Sequence, residues 1–452
     1  MAKKKKRISK PVVKPMAEPV AAAKSVLITP PKSRGRRRAE IAVWSAIVFL
    51  LYIYYRIYVL LDGSVRGWTS AFLSPAFQVP AHHILDYSMG FLPRALSGSL
   101  LTFFTGGTMA GWVPGAYFLT RHIITYGLLS LNLGMLIEKA INAKSYLMAM
   151  FPLLIIFTPQ AVWSRFFSHE TLDTLMLLFT LIAFFLIRNE KLMWFAPFCT
   201  CLGIMTNYSY ALLFFPLVFA MQYYEFIRGG MKRTRLYNLI ATTISSFAMG
   251  VYMLWVPFHS ELVSKYSAPE AIAYLERKAG YKFTQLDIWY ITSTIFGRHV
   301  DGQKLTFLDA TSLGRYGGYF NPIFYVTALL ICMPILIFTL TIWRRHVKGE
   351  KGFWKKSPYL LFMLAPAIIF PVFYFVFGDI DRLVSAVLLT QVLLMAYVFF
   401  ADGQNEAFIR LKEIKTWKRQ LLYVAVLLGV LVPLMVFRST MWLIVTAKQP
   451  LF

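Results

Sequence analysis

The sequence predicts an all-α protein, a polytopic bundle of about eleven transmembrane helices whose N-terminus lies in the cytoplasm. Two observations predict this class. Hydrophobic residues make up 58% of the 452 positions and charged residues only 15%, so a water-soluble domain of this length would expose too much apolar surface. Apolar windows of about 20 residues, enough to cross a bilayer core about 30 Å thick, also follow one another from residue 41 onwards.

The first segment, residues 1–38, is strongly basic and contributes much of the formal net charge of +26. It contains thirteen Lys or Arg residues and one acid, Glu18, with Pro, Ala and Ser between them. We expect a disordered cytoplasmic tail that touches anionic lipid and not nucleic acid, because basic tracts beside a first span are a common inside signal. A cleavable signal peptide does not fit, since the basic stretch is long and no small-residue cleavage site follows the apolar run.

Residues 39–452 form the predicted membrane domain. The predicted spans are about 41–61, 112–138, 146–162, 171–187, 192–207, 209–225, 236–257, 321–343, 358–377, 383–401 and 421–438. Nineteen Lys or Arg residues fall in the turns that this threading places in the cytoplasm, whereas the short turns on the other side hold only Arg165 and Arg382. This asymmetry is the one that the positive-inside rule requires.

Two long segments lie outside the membrane in this threading, residues 62–111 and 258–320. In the first, residues 91–104 are too short and too broken by Pro and Gly for a span, so we expect helices along the outer membrane face. In the second, residues 267–282 predict an amphipathic helix with Pro269 in its first turn.

Three groups of ionisable residues reach the outer side from distant parts of the chain. They are His82, His83, Asp86 and Arg94; Arg165, His169, Glu170 and Asp173; and Asp379, Asp381 and Arg382. An acid at a helix start also serves as a cap, which is the alternative role for Glu170, Asp173 and Asp379. Together, carboxylates, a histidine and arginines at a water–lipid boundary suit group transfer from a lipid-phosphate donor.

The pattern over residues 41–260 resembles membrane-embedded glycosyltransferases of the GT-C superfamily. The resemblance is carried by Asp86 in a long first outer loop, by His169-Glu170 before an apolar helix, and by the stretch 202–208 leading into 214–216. The stretch 86–94 is also similar to bacterial membrane proteins associated with cell-surface polysaccharide, which indicates the bacterial cytoplasmic membrane. The resemblance implies a polyprenyl-phosphate sugar as the donor, an active site on the extracytoplasmic face, and a glycan, lipid or protein acceptor.

Roles for individual residues follow from this hypothesis. Asp86 would act as the general base, and His169 and Glu170 would bind the acceptor or a divalent metal ion such as Mg²⁺ or Mn²⁺. The substrate-binding residues would be Arg94, Arg165, Arg315, Asp381 and Arg382, with Arg315 belonging to a Gly-rich run that also suits a simple loop or lid. Many superfamily members carry paired acids in the first loop, whereas Tyr87 follows Asp86 here, so metal dependence stays open.

Two other functions remain open. A transporter or flippase of lipid-linked sugars would line its cavity with Arg56, Arg121 and His122, which lie in the outer halves of predicted spans, although such side chains also reach back to the surface. A polysaccharide polymerase would use the same chemistry as a single-sugar transferase. The acids cluster on the outer side and the later spans carry few charges, which favours an enzyme over a transporter.

Overall fold

In the computed structural model, most of the described residues are helical. It covers residues 34–60, 72–89, 91–92, 94–142, 149, 172–259, 267–284, 287–288, 291–292, 322–376, 389–398, 416–418, 420–421 and 424. Within these ranges the regular structure is helical, and the one β-type pairing is an isolated bridge between Gln78 and Ala110. The all-α class is therefore confirmed for the described residues.

The described residues form twelve α-helices. They are α1 Arg34–Leu60, α2 Ala95–Thr105, α3 Trp112–Asn142, α4 Asp173–Arg188, α5 Ala196–Thr206, α6 Tyr210–Leu213, α7 Phe215–Arg228, α8 Arg233–His259, α9 Ala268–Ala279, α10 Pro322–Gly349, α11 Phe353–Val376 and α12 Leu389–Val398. Short 3-10 helices occupy Ala81–His83, Tyr87–Met89 and Met193–Phe195.

Helix α1 begins earlier than the sequence pattern predicts. Its first residue is Arg34, so residues 34–38, which we assigned to the disordered tail, are helical. Two ion pairs explain the extension: Arg36 Nε lies 3.3 Å from Glu40 one turn along, and Arg37 Nε lies 3.5 Å from Glu138 of α3. An (i, i+4) pair and a cross-helix pair both favour helix over coil at a charged end.

Two of the described helices are long and apolar enough to cross a membrane, Trp112–Asn142 and Arg233–Val256. The helices that correspond to the predicted spans 171–187, 192–207 and 209–225 have 16, 11 and 14 residues, below the length of about 20 that a crossing usually needs. Nearly all of the predicted spans 421–438 and 146–162 lies outside the described residues.

The bundle core is built where α1 and α3 run antiparallel. Tyr52 stacks on Tyr126 with ring centres 4.1 Å apart. Farther along, a Cβ atom on Gly134 would lie only 2.7 Å from the backbone nitrogen of Ser45, so glycine is needed for this close approach. Helices α4, α5, α7, α10, α11 and α12 add buried apolar side chains to the same cluster.

A second, smaller hydrophobic core joins the two segments that the sequence places outside the membrane. We call it the outer layer; its buried members are Phe72, Phe77, Val79, Ala81, Ile84, Leu85, Leu92, Ala95, Leu101, Met109, Phe118, Ala271, Leu275, Ala279, Phe283 and Ile291. Helix α9 contributes Ala271, Leu275 and Ala279, which are spaced four residues apart and so lie on one face. The two outer segments therefore pack against each other.

Charged side chains meet at the opposite end of the bundle. The C-terminal parts of α5 and α8 reach the outer layer, because Arg94 bonds to Tyr208 just beyond α5 and Phe91 packs on Tyr252 of α8. The N-terminal ends of these helices consequently lie far from the outer layer. There the basic turns are tied together by ion pairs of 2.9 Å between Lys232 and Glu190 and 2.7 Å between Arg235 and Glu225.

Candidate active site

Asp86 is positioned by a close contact between α2 and the loop that precedes it. The buried residues Ile84 and Leu85 anchor this loop in the outer layer. Gly98 of α2 lies directly against the loop backbone, and a Cβ atom there would come within 2.7 Å of the Leu85 carbonyl carbon and 2.8 Å of the His83 carbonyl oxygen. The absence of a side chain at residue 98 thus allows the next turn of α2 to bring Thr102 to the Asp86 carboxylate.

The Asp86 carboxylate accepts hydrogen bonds from three residues. Oδ1 accepts from the Ser88 backbone N–H at 3.1 Å and from the Ser88 hydroxyl. Oδ2 accepts from the Thr102 hydroxyl at 3.1 Å and from the Lys278 ammonium of α9. With 6% of its side chain exposed, Asp86 is a nearly buried carboxylate whose two oxygens are both engaged.

These contacts determine the charge of Asp86. Burial alone raises the pKa of a carboxyl group, but the hydrogen bonds from Lys278 and Ser88 and the charge of Lys278 outweigh it and lower the pKa of Asp86 below its usual value. The group is therefore ionised at neutral pH. It is in the protonation state of a base, and a substrate hydroxyl would have to displace Lys278 or Thr102 to reach it.

Tyr87 places a second polar group beside Asp86. Burial raises the pKa of the Tyr87 phenol, so this hydroxyl is neutral and can donate. The hydroxyl is buried and makes no hydrogen bond with any residue that the structure describes. The Tyr87 ring stacks on Phe91 at 5.1 Å, and Phe91 packs on Tyr252 at 5.4 Å. An aromatic row of this kind suits sugar stacking as well as a membrane interface.

Arg94 lies at the start of α2 in a strained backbone conformation. Its φ angle of 67° is in the left-handed region, which is uncommon for a residue other than glycine. Its Nη2 donates a 3.1 Å hydrogen bond to the Tyr208 hydroxyl, and its guanidinium carbon lies 5.0 Å from the centre of the Tyr208 ring. This contact connects the outer layer to the turn after α5, within the stretch 202–208 that carries the resemblance.

The histidines beside Asp86 differ from it in surroundings. His83 is fully buried, its Nδ1 lies 2.6 Å from the Ser97 hydroxyl, and its ring packs edge-on against Phe118. It therefore packs within the outer-layer core.

Asp173 is also fully buried, in the first turn of α4. The predicted site residues Arg165, His169, Glu170, Arg315, Asp381 and Arg382 lie outside the described residues.

Sequence reasoning missed three side chains that bind Asp86. Ser88 had a local signal, since an aspartate commonly accepts from the backbone N–H two residues later. Thr102 and Lys278 had none, because their contacts depend on how α2 and α9 pack. The predicted helix over residues 267–282 is confirmed as α9, but nothing in its pattern pointed Lys278 at Asp86.

The described residues around Asp86 do not fit a divalent metal ion in this arrangement. Both carboxylate oxygens accept hydrogen bonds, and the Lys278 ammonium stands where a metal would neutralise the charge. Nor does any group of three or more His, Cys, Asp or Glu side chains in the described ranges have metal-binding geometry. Lys278 supplies the counter-charge instead.

Comparison of the chain with protein-family models, with curated proteins and with solved structures yields no match. The site is therefore interpreted from its own chemistry. Its main features are an ionised, nearly buried aspartate, an amine that neutralises it, and hydroxyl donors from Ser88 and Thr102, all within the outer layer.

Proposed function

We propose that this chain is a multi-pass membrane glycosyltransferase that moves a sugar from a polyprenyl-phosphate donor to a glycan, lipid or protein acceptor. Its active site would lie in the outer layer, on the extracytoplasmic face of a bacterial cytoplasmic membrane. The observation that carries the proposal is Asp86, an ionised and nearly buried carboxylate where the two outer segments meet.

The membrane part of the proposal is supported by the surface of α8. Only 28% of its most apolar window is buried inside the structure. Large hydrophobic side chains on the rest of the helix are exposed, among them Ile244 at 63% and Phe247 at 74%. An apolar helix surface of this extent is unstable against water, so we infer that lipid covers it. The basic turns opposite the outer layer would then face the cytoplasm.

Asp86 would act as the general base in the transfer. The acceptor hydroxyl takes the place of Lys278 or Thr102 at Oδ2 and gives its proton to the carboxylate as its oxygen attacks the anomeric carbon of the donor sugar. The bond between that carbon and the phosphate oxygen breaks, and the polyprenyl phosphate leaves with the bonding electron pair. Lys278, once displaced, would be free to balance the negative charge that develops on the leaving phosphate.

Arg94 would bind the phosphate of the donor. Its guanidinium lies at the end of the bundle that contains the outer layer, and its hydrogen bond to Tyr208 holds it there. A guanidinium offers paired N–H donors that match phosphate oxygens. Arg165, Arg315, Asp381 and Arg382 remain proposed partners for the donor, and His169 and Glu170 for the acceptor or a metal.

A transfer assay with a matched control tests this proposal. The full chain is reconstituted in liposomes with a radiolabelled polyprenyl-phosphate sugar, and wild type is compared with Asp86→Asn and Asp287→Asn. Asp287 lies in the second outer segment and bonds only locally, to Thr284, in the described structure. We expect Asp86→Asn to lower the rate at least a hundredfold and Asp287→Asn to leave it unchanged. Near-normal transfer by a correctly inserted Asp86→Asn would remove Asp86 from the mechanism.

A transporter or flippase is the second candidate, and one observation favours it. Arg121 and His122 are both buried inside α3, a helix long enough to span the membrane. Buried ionisable groups at such positions commonly line a substrate path. The reconstituted system separates the functions: a transferase adds one sugar, a polymerase lengthens the chain, and a flippase changes only the side of the membrane on which the labelled lipid is found.

A further inference from the structure

Arg121 lies on α3 at the level where the outer layer ends and the helix bundle begins. Phe118, one turn before it, belongs to the outer-layer core. Tyr126, just over one turn after it, belongs to the bundle core. Arg121 itself is only 4% exposed, so its guanidinium is enclosed at the boundary between the two cores.

No anionic side chain among the described residues pairs with the guanidinium of Arg121. Nε, Nη1 and Nη2 are buried and make no hydrogen bond with any residue in the described ranges. Tyr117 and Tyr126 are its ionisable neighbours, and the Tyr117 hydroxyl interacts with it but lies outside hydrogen-bond geometry. Neither neighbour is a carboxylate. The guanidinium carbon also lies 4.6 Å from the centre of the Phe118 ring, in a cation–π contact.

A buried guanidinium without a counter-charge destabilises a protein considerably. Arginine does not lose its proton to escape the cost, because a guanidinium is too weak an acid to be deprotonated in proteins. The cation–π contact with Phe118 compensates only part of the lost hydration. Asp86, the carboxylate of the candidate site, is already neutralised by Lys278. Within the described residues, Arg121 therefore lacks a counter-charge of the kind that a bound anion would supply.

We propose that Arg121 anchors a binding site for a phosphate group at the boundary between the outer layer and the bundle. The fork of N–H donors on a guanidinium matches phosphate oxygens in geometry and charge. In the proposed membrane orientation, this boundary would lie on the side of the bundle that faces the outer leaflet, whose lipids carry phosphate groups. The inference rests on the membrane embedding in the proposed function, but it is independent of sugar transfer.

Thermal unfolding of the full chain, purified in an uncharged detergent, tests the site with three probes. These are dihexanoyl phosphatidic acid, inorganic phosphate, and dihexanoylglycerol as the phosphate-free control. At about a hundredfold excess over the dissociation constant, a bound ligand should raise the melting temperature of wild type by about 3 °C. A rise with phosphatidic acid alone identifies a lipid headgroup, and an equal rise with inorganic phosphate identifies the free ion. No rise with either, or an equal rise with dihexanoylglycerol, overturns the proposal.

Variants assign the effect to Arg121. Arg121→Met removes the charge and keeps apolar packing, so it should unfold at the same or a higher temperature without ligand and lose the ligand-induced rise. Arg188→Met is the matched control, because Arg188 also stacks on an aromatic ring, 4.7 Å from the centre of Tyr397, but near the basic turns. The Arg188→Met variant should keep the ligand-induced rise in melting temperature. A rise that survives in Arg121→Met would refute the assignment.

A conservative variant covers the case in which Arg121→Met does not fold. Arg121→Lys keeps the charge but loses the fork, so we expect it to fold and to bind phosphatidic acid at least fivefold more weakly than wild type. Equal affinity of Arg121→Lys and wild type for phosphatidic acid would overturn the proposed site. The two proposals can fail separately. Absence of phosphate binding at Arg121 would not bear on the role of Asp86 in sugar transfer, and absence of sugar transfer would not bear on phosphate binding at Arg121.

Discussion

The ammonium of Lys278 donates a hydrogen bond to the carboxylate of Asp86, joining two residues that lie 192 positions apart in the sequence. The contact ties α9 to the first outer segment. Two neighbouring bonds reinforce it: the Tyr274 hydroxyl lies 3.3 Å from the Ser88 hydroxyl, and the Tyr281 hydroxyl donates to the Val79 carbonyl at 3.0 Å. Asp86 thus serves both the proposed chemistry and the assembly of the outer layer.

Loss of Lys278 should destabilise the fold in a pH-dependent way. Lys278→Met leaves a nearly buried carboxylate without its counter-charge, at a cost of about 2–3 kcal/mol near pH 7. Because the folded pKa of Asp86 is lowered, the pair stabilises the protein above the unfolded pKa, near 4, and this contribution is lost as pH falls through the folded pKa. The difference in melting temperature between wild type and variant should therefore shrink on acidification.

Lys282→Met is the control for that measurement. Lys282 is 90% exposed and pairs with Glu276 at 2.7 Å, so its loss should change the melting temperature little at any pH.

In the transfer assay, Lys278→Met should also move the acidic limb of the rate profile to higher pH, since burial then raises the pKa of Asp86 unopposed by Lys278. Equal effects of the two lysine variants would contradict the pairing.

Gly98→Ala should disrupt the packing of α2 against the loop that carries Asp86. The added methyl group would meet the backbone of Leu85 and His83, so α2 and the loop must separate. We expect a loss of about 1–3 kcal/mol in the free energy of unfolding, together with loss of transfer activity as Thr102 moves away from Asp86. Gly127→Ala in α3 is the matched control, because nothing lies within 4 Å of its Cβ position and alanine favours helix by about 0.5–1 kcal/mol.

The sidedness of the two ends can be measured with a membrane-impermeant thiol reagent. Lys282 belongs to the outer layer's segment and is 90% exposed, whereas Lys232 lies in the α7–α8 turn and is 54% exposed. In a background with the natural cysteines replaced, Lys282→Cys should react in intact cells and Lys232→Cys only after lysis. Labelling of both from outside would contradict the alternation of helix directions on which the proposed function depends.

Arg94→Asn should separate structure from substrate binding. Asparagine tolerates the left-handed backbone at this position, so we expect stability to change by less than about 1 kcal/mol despite loss of the bond to Tyr208. If Arg94 holds the donor phosphate, KM for the polyprenyl-phosphate sugar should rise at least tenfold. Tyr208→Phe removes only the hydroxyl and should raise KM far less; equal values for both variants would assign Arg94 a structural role alone.

Local patterns predicted some elements closely. Helix α9 begins after Ser267, whose hydroxyl accepts from the Glu270 backbone N–H while the Glu270 side chain accepts from the Ser267 N–H, and it ends at Gly280 with a φ angle of 77°. All of these signals lie within a few residues of the helix end they define. The charge pattern likewise predicted that the two outer segments lie on one side, and their shared core agrees with it.

Patterns that depend on packing were predicted less well. The run 209–225 was expected to form one span, but the helix is interrupted between α6 and α7, with Pro216 in the first turn of the second piece. Hydropathy does not register such a break, because every residue around it is apolar. Helix α1 was expected to begin near residue 41, and the partners that extend it to Arg34 include Glu138 of another helix.

The sequence alone predicts an apolar, helical chain with basic turns at one end and two polar segments at the other. These features can be predicted because composition and hydropathy are properties of local stretches of the chain. The tertiary structure decided which side chains meet. It packed α9 against the first outer segment, gave Asp86 its amine partner, and enclosed Arg121 between two cores with no counter-charge among the described residues. Such pairings arise only when distant segments share buried surface, since a carboxylate or guanidinium finds its counter-charge in space and not in its neighbours along the chain.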